Sequence, residues 1–252
     1  MFSLIRIRAV AVKTLRELYR DYISWGLLFT ALMFAFISMN SGPLKSENPN
    51  TLLVYWTVFY AWIGILFATS GAISLELKAG TLQTIVTKPI SRAEFIFGKT
   101  VGATVQVLLN VILASFLLLA MMKFYFGMEL KMAWSDLLVL YGLTFLETLA
   151  WGTLGITLST FLPGNSNGWV AFFSWIAIPF IGKFYGNDSI LVLFLNLIIP
   201  NYAGESWLSK VYGSSGLDFH ILGKTVFHLS MYVVVATFVA SFIFSKRQVG
   251  AR

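Results

Sequence analysis

The chain has 252 residues, of which 58% are hydrophobic and 12% charged, and its mean hydropathy of +0.79 is too high for one soluble core to absorb. Cysteine is absent, which excludes disulfides, thiolate metal sites and a cysteine nucleophile, and His220 and His228 are the only imidazoles, too few for a histidine-rich metal centre. The net charge of +7 reads as a membrane-topology signal and not as a nucleic-acid footprint, because membrane proteins keep Lys and Arg on their cytoplasmic side.

Residues 1–21 come first. On a helical wheel Arg6, Lys13, Glu17 and Arg20 form one stripe, with Leu4, Ala11, Leu15 and Leu18 opposite. This pattern predicts an amphipathic helix lying on the inner leaflet. A basic leader without structure, serving only to set topology, is the alternative. No small-x-small cleavage site follows Met39, so a removable signal peptide is not expected.

Six spans follow. Tyr22–Met39, Leu52–Leu75 and Val101–Met122 carry no charge, and Leu137–Leu162 carries one, Glu147. The fifth, Trp169–Gly182, is short for a bilayer core that needs about 20 helical residues. The sixth is Thr225–Ser245. Between the last two, within an outer loop over 187–224, Ile190–Ile199 is too short to cross. It suits a re-entrant or interfacial segment, or an extension of the fifth span. The fold class is therefore an all-α membrane protein of one domain, 1–252. Arg6, Arg8, Lys13, Arg16 and Arg20, then Lys78, Lys88, Arg92 and Lys99, then Lys246, Arg247 and Arg252 fall on one side. That side holds 12 of the 18 basic residues, so it and both termini are expected to be cytoplasmic.

The stretch Glu76–Lys99 is a polar island between the second and third spans. Gly80-Thr81 supplies a breaker and a cap. Leu82, Ile85 and Val86 then share one face at i, i+3, i+4 spacing, and Pro89 halts the turn. Ser91-Arg92-Ala93-Glu94 reads as a capping box that opens the next helix. A short helix with one apolar face is thereby held at the membrane surface, available to a soluble partner. Residues 93–100 end in Gly-Lys-Thr at P-loop spacing. Their interior, Glu-Phe-Ile-Phe, is helical in character and lacks the glycines a phosphate cradle needs. Work driven by ATP would therefore need a separate subunit.

Glu147 admits two readings: a residue of a polar path that meets a cationic or hydroxylated substrate, or a carboxyl that is protonated or bonded to Thr144, Trp151 or a neighbouring helix. Gly98-x-x-x-Gly102 and Gly182-x-x-x-Gly186 allow close helix approach and are weak pointers to a dimer. No paired acidic residues at a span end could hold the divalent ion of a membrane transferase, which argues against an enzyme.

At the island the chain resembles the permease subunits of ABC-2 type transporters. The likeness rests on Glu76, Gly80-Thr81, the apolar turn Leu82 through Val86, Pro89-Ile90-Ser91-Arg92 and Gly98-Lys99. Phe244-Ser245-Lys246-Arg247 and Pro200-Asn201 add weaker matches. The resemblance implies a non-catalytic transport subunit in the cell membrane, most often an exporter. A second permease copy, identical or homologous, would share the path. Two ATPase subunits would bind ATP and magnesium, with no cofactor in this chain. It also implies that Thr81 through Lys88 is a coupling helix docked on the ATPase through Leu82, Ile85 and Val86. Glu76 would sit at the membrane end of the lever, Pro89 and Ser91 would fix the turn, and the N-terminal helix would join the same interface. The rival function is a secondary transporter or channel using Glu147 as its ion or proton site. It predicts transport without any ATPase, abolished by Glu147→Gln.

Overall fold

A computed structural model describes residues 3–20, 49–70, 72–73, 76, 90–127, 132–162 and 219–249, with isolated positions 26, 28, 29, 32, 33, 36 and 166. Five helices carry the described chain: α1 (Leu4–Arg20), α2 (Pro49–Thr69), α3 (Arg92–Phe126), α4 (Trp134–Phe161) and α5 (Phe219–Val249). Four of them, α2 to α5, contain stretches long and apolar enough to cross a membrane. The fifth span and the segment 190–199 lie outside the described residues, as does most of the first span. Its described positions Gly26, Leu28, Phe29, Leu32, Met33 and Phe36 are helical.

The membrane helices are apolar on all sides, as expected of segments that bury one face in protein and turn the other to lipid. Phe227, Phe238 and Phe242 of α5 and Phe116 of α3 are each more than 60% exposed, a surface that water would not tolerate but hydrocarbon solvates. Many hydroxyls inside the bundle are satisfied locally, although the buried Thr104 hydroxyl has no hydrogen-bond partner among the described residues. Thr69, Thr100, Thr144, Thr148, Thr153 and Thr237 each donate to the carbonyl four residues earlier, at 2.7–3.0 Å. This back-bonding lets these six side chains sit in an apolar medium with their hydroxyls satisfied.

α2 ends at Thr69, short of the Leu75 expected from hydropathy alone. Ser70 and Ala72 donate to the carbonyls three residues earlier, tight turns that leave the helical path. Apolar Ala72 and Ile73 continue the hydrophobic run past the helix, which is why composition could not mark its end. α3 runs unbroken for 35 residues. At 1.5 Å per residue that is about 52 Å, roughly 20 Å more than a hydrocarbon core. The charged residues Arg92, Glu94 and Lys99 are concentrated in its first turns, which hydrocarbon disfavours, so the excess is best accommodated at that end. It stops where Gly127 adopts φ 66°, a left-handed cap whose N–H donates to the Met122 carbonyl.

α3 is the central element and packs against each of the other four helices. Tyr60, Ala61 and Ile65 of α2, Ala103, Val107 and Val111 of α3 and Trp151 of α4 form one core. A separate cluster closes the end of the bundle where α3 begins. There Val10 of α1, Ile73, Phe95 and Ile96 of α3, Ile156 of α4 and Phe244 of α5 meet. The rings of Phe95 and Phe244 stack at 6.4 Å. This end, the foot of α3, carries the polar groups considered next.

Candidate functional site

The first two turns of α3 are built by the capping box expected from Ser91 and Glu94. Ser91 is extended (φ −71°, ψ 153°), the Glu94 N–H donates to its hydroxyl at 3.2 Å, and the Ser91 N–H donates to Glu94 Oε2 at 2.7 Å. The carboxylate has a second duty. Its Oε1 accepts the Ser3 N–H at 2.6 Å, and the half-exposed Arg6 guanidinium lies 3.8 Å from Oε2. Glu94 itself is fully buried. The Ser91 backbone N–H above all, then that of Ser3, holds its carboxyl below the ordinary range, against the opposing effect of burial.

α1 is seated on α3 with almost no gap. A Cβ on Gly98 would lie 2.8 Å from Val10 Cβ and 3.0 Å from the Ile7 carbonyl oxygen. One on Gly102 would lie 2.6 Å from the Ala11 oxygen and 2.8 Å from Thr14 Cβ. Only glycine permits this approach. The Gly98-x-x-x-Gly102 spacing, a pointer to a dimer in the sequence, is thus occupied within the chain. The face of α1 that packs also differs from the expected one. Ile7, Val10 and Thr14 are buried, Ala11, Leu15 and Leu18 are partly so, and Leu4 is 82% exposed. The stripe is rotated because the glycines admit the backbone of α1 along the Ile7–Thr14 edge. The deepest seat goes to small and β-branched residues.

One residue after Gly98, Lys99 fastens the other strand of the foot. Its ammonium lies 2.7 Å from Glu76 Oε1 and donates to the Ala72 carbonyl at 3.0 Å. It also sits 5.6 Å from the centre of the Phe95 ring. Both ionic side chains are largely enclosed, at 7% and 14% exposure, so the pair is held by geometry and not by salt-screened surface attraction. Residues 93–100 are continuous helix with Lys99 bonded to Glu76, which is not the backbone of a phosphate loop.

Of the residues singled out in the sequence, Glu76 bonds Lys99, Ser91 caps α3 through Glu94, and Arg92 is the first residue of that helix. Gly80, Thr81, Leu82, Ile85, Val86, Lys88 and Pro89 lie outside the described residues. Glu147 is elsewhere. It is 2% exposed near the middle of α4, nine residues before Ile156 and so about 13 Å along the axis from the foot. Sequence reasoning missed the partner of Lys99, the partner of Glu94 in α1 and the seat made by the two glycines. The capping spacing pointed to Glu94, but nothing local announces a contact 91 residues away.

No curated protein is significantly similar to the chain. The family description "ABC-2 family transporter protein" matches residues 8–249, a range that takes in most of α1, the start of α3 and all four long apolar helices. The chain belongs to the ABC-2 family of transporter proteins.

Proposed function

We propose that this membrane transport subunit is the permease of an ATP-driven exporter, coupled through the loop between Glu76 and Ser91 to a separate ATPase. The observation that carries the reading is the Glu76–Lys99 pair with its Ala72 carbonyl. It ties the base of that loop to α3, the helix that packs on every other described one. A displacement of the loop base at Glu76 is therefore passed directly to α3 at the centre of the bundle. On this reading the chain is not itself an enzyme. ATP and magnesium belong to the ATPase, of which two copies would serve two permease chains, identical or homologous, in the cell membrane with both termini cytoplasmic. Leu82, Ile85 and Val86 form the docked face, with Gly80 and Thr81 opening the short helix. Lys88 and Pro89 close it, and Ser91 and Arg92 start α3.

Leu82→Asp with Ile85→Asp puts two charges on that face. The altered chain should still insert, lose co-purification with the ATPase and lose stimulated ATP hydrolysis. Association at the parent level would refute the proposal.

A further inference from the structure

We propose that a recess between α2 and α3 binds the hydroxyl end of a small, uncharged amphiphile of the medium-chain alcohol class. It lies in the half of the bundle away from the foot, and the proposal does not rest on the coupling reading above.

The recess has about 300 Å³ of empty volume with its open side included, the small end of the range for ligand pockets. Its walls include Trp56, Thr57 and Tyr60 of α2, Ala114, Ser115 and Leu118 of α3, and Leu32 of the first span. None of the described residues that line it is charged. Ser115 stands about 24 Å along α3 from Lys99, a little beyond the middle of the apolar stretch Val101–Met122. At that depth hydrocarbon surrounds the bundle and disfavours an ion, so the ligand is neutral. Much of the volume lies on the open side. The enclosed part therefore suits a hydroxyl and a short stretch of chain, and a bulky molecule would not fit.

Two hydroxyls give the recess its chemistry. Thr57 Oγ1 and Ser115 Oγ are buried and lie 3.3 Å apart. That is long for an O–H···O bond, whose usual length is about 2.7–2.8 Å. The six threonines above fix their hydroxyls on carbonyls of their own helices at 2.7–3.0 Å, whereas this pair meets across two helices. Sharing one proton leaves the pair a further O–H and spare lone pairs, so it can both donate to and accept from one incoming oxygen. A hydroxyl dissolved in hydrocarbon has no other partner, and leaving it bare is unfavourable. A phospholipid does not bring that oxygen. Its ester groups lie at the edge of the hydrocarbon, about 15 Å from the midplane, and only methylenes reach the level of Ser115. An alcohol carries its hydroxyl to the pair while its chain runs past Trp56, Tyr60 and Leu118 to the open side.

The test photolabels the full chain in phosphatidylcholine vesicles. One probe is azioctanol, an octanol carrying a diazirine, and the other is the matching azioctane, which lacks the hydroxyl. Adducts are located by mass spectrometry. In the parent, azioctanol should label residues 56–60 and 111–118 saturably, and plain octanol should compete. With concentrations counted in the bilayer, azioctane should need about three- to tenfold more probe for half-saturation, the weight of one net hydrogen bond. Thr57→Val with Ser115→Ala keeps apolar walls and removes both hydroxyls, so the two probes should become equal. If the pair served only to hold α2 on α3, its loss would loosen the helices and leave the relative labelling by the two probes unchanged. Ala114→Phe fills the recess and should abolish saturable labelling there.

Labelling that rises without saturation, spreads over the exposed faces of α3 and α5, or shows no preference for the alcohol in the parent would overturn the proposal. So would a preference that survives Thr57→Val with Ser115→Ala, or saturable labelling that survives Ala114→Phe. Should a variant fail to insert, the two probes in the parent still decide. Labelling needs neither ATP nor an ATPase, so its outcome is separate from that of the coupling reading.

Discussion

Gly102→Ala measures how closely α1 is seated. The new Cβ would stand 2.6 Å from the Ala11 carbonyl oxygen, 2.8 Å from Thr14 Cβ and 3.1 Å from Ala11 Cα. Carbon contacts in packed interiors relax to about 3.5–4.0 Å, so α1 must retreat by the best part of 1 Å along this edge. Overpacking of that kind costs about 1–3 kcal/mol. Alanine also favours the helix by about 1 kcal/mol over glycine, which would mask part of the effect. Gly142→Ala removes the ambiguity, because a Cβ there meets nothing within 4 Å and gains the same propensity. The difference between the two variants isolates the contact. It corresponds to roughly a 5- to 150-fold rise in the undocked population of α1. Arg8, Lys13 and Arg16 are exposed on the helix and are natural trypsin sites. Cleavage within α1 tracks the opened population when reclosing is fast. Cleavage of Gly102→Ala should be faster than that of Gly142→Ala by a factor in that range. Equal rates would refute the claim that glycine is required for the α1 seat.

Lys99→Met strands the enclosed Glu76 carboxylate and should cost about 3 kcal/mol in thermal unfolding in detergent. Adding Glu76→Gln should recover at least half of that loss, since it removes the uncompensated charge. Glu94 supplies a pH dependence. Its carboxyl is depressed most by the Ser91 N–H of its own cap and further by the Ser3 N–H and Arg6, which only the docked α1 supplies, so the docked α1–α3 junction binds fewer protons than the open one. The resulting stability is complete above the ordinary carboxylate range and fades as pH falls through the lowered folded value. Amide exchange in residues 4–20, corrected for intrinsic rates, should therefore rise in acid in the parent. In Glu94→Gln it should stay flat over the same interval.

Much of this molecule could be read along the chain. The all-helical class, the apolar spans and the start of α3 at Ser91 depend on local matters: composition over about 20 residues, hydropathy, and a cap spaced three residues from its partner. Ser91 and Glu94 close their box as their spacing requires. Helix ends without such chemistry were less legible. α2 stops at Thr69 although the apolar run continues through Ala72 and Ile73. The amphipathic character of residues 4–20 was equally plain, but which edge is buried was not. Leu4 looked like core and is exposed, while Thr14 is buried and meets its own need by donating to the Val10 carbonyl at 3.0 Å.

The sequence alone determined that this is a multi-pass helical membrane chain with a polar island between two spans. Partition into hydrocarbon and helix capping are short-range effects that each segment settles for itself. Only the tertiary structure decided that Gly98 and Gly102 receive α1 and not a second chain, that Lys99 answers Glu76, and that the capping carboxylate of α3 also holds the Ser3 N–H. Those choices depend on which helices lie side by side. That arrangement is selected by close packing over the whole bundle, and a buried ionic group then takes whichever partner the packing brings within about 3 Å.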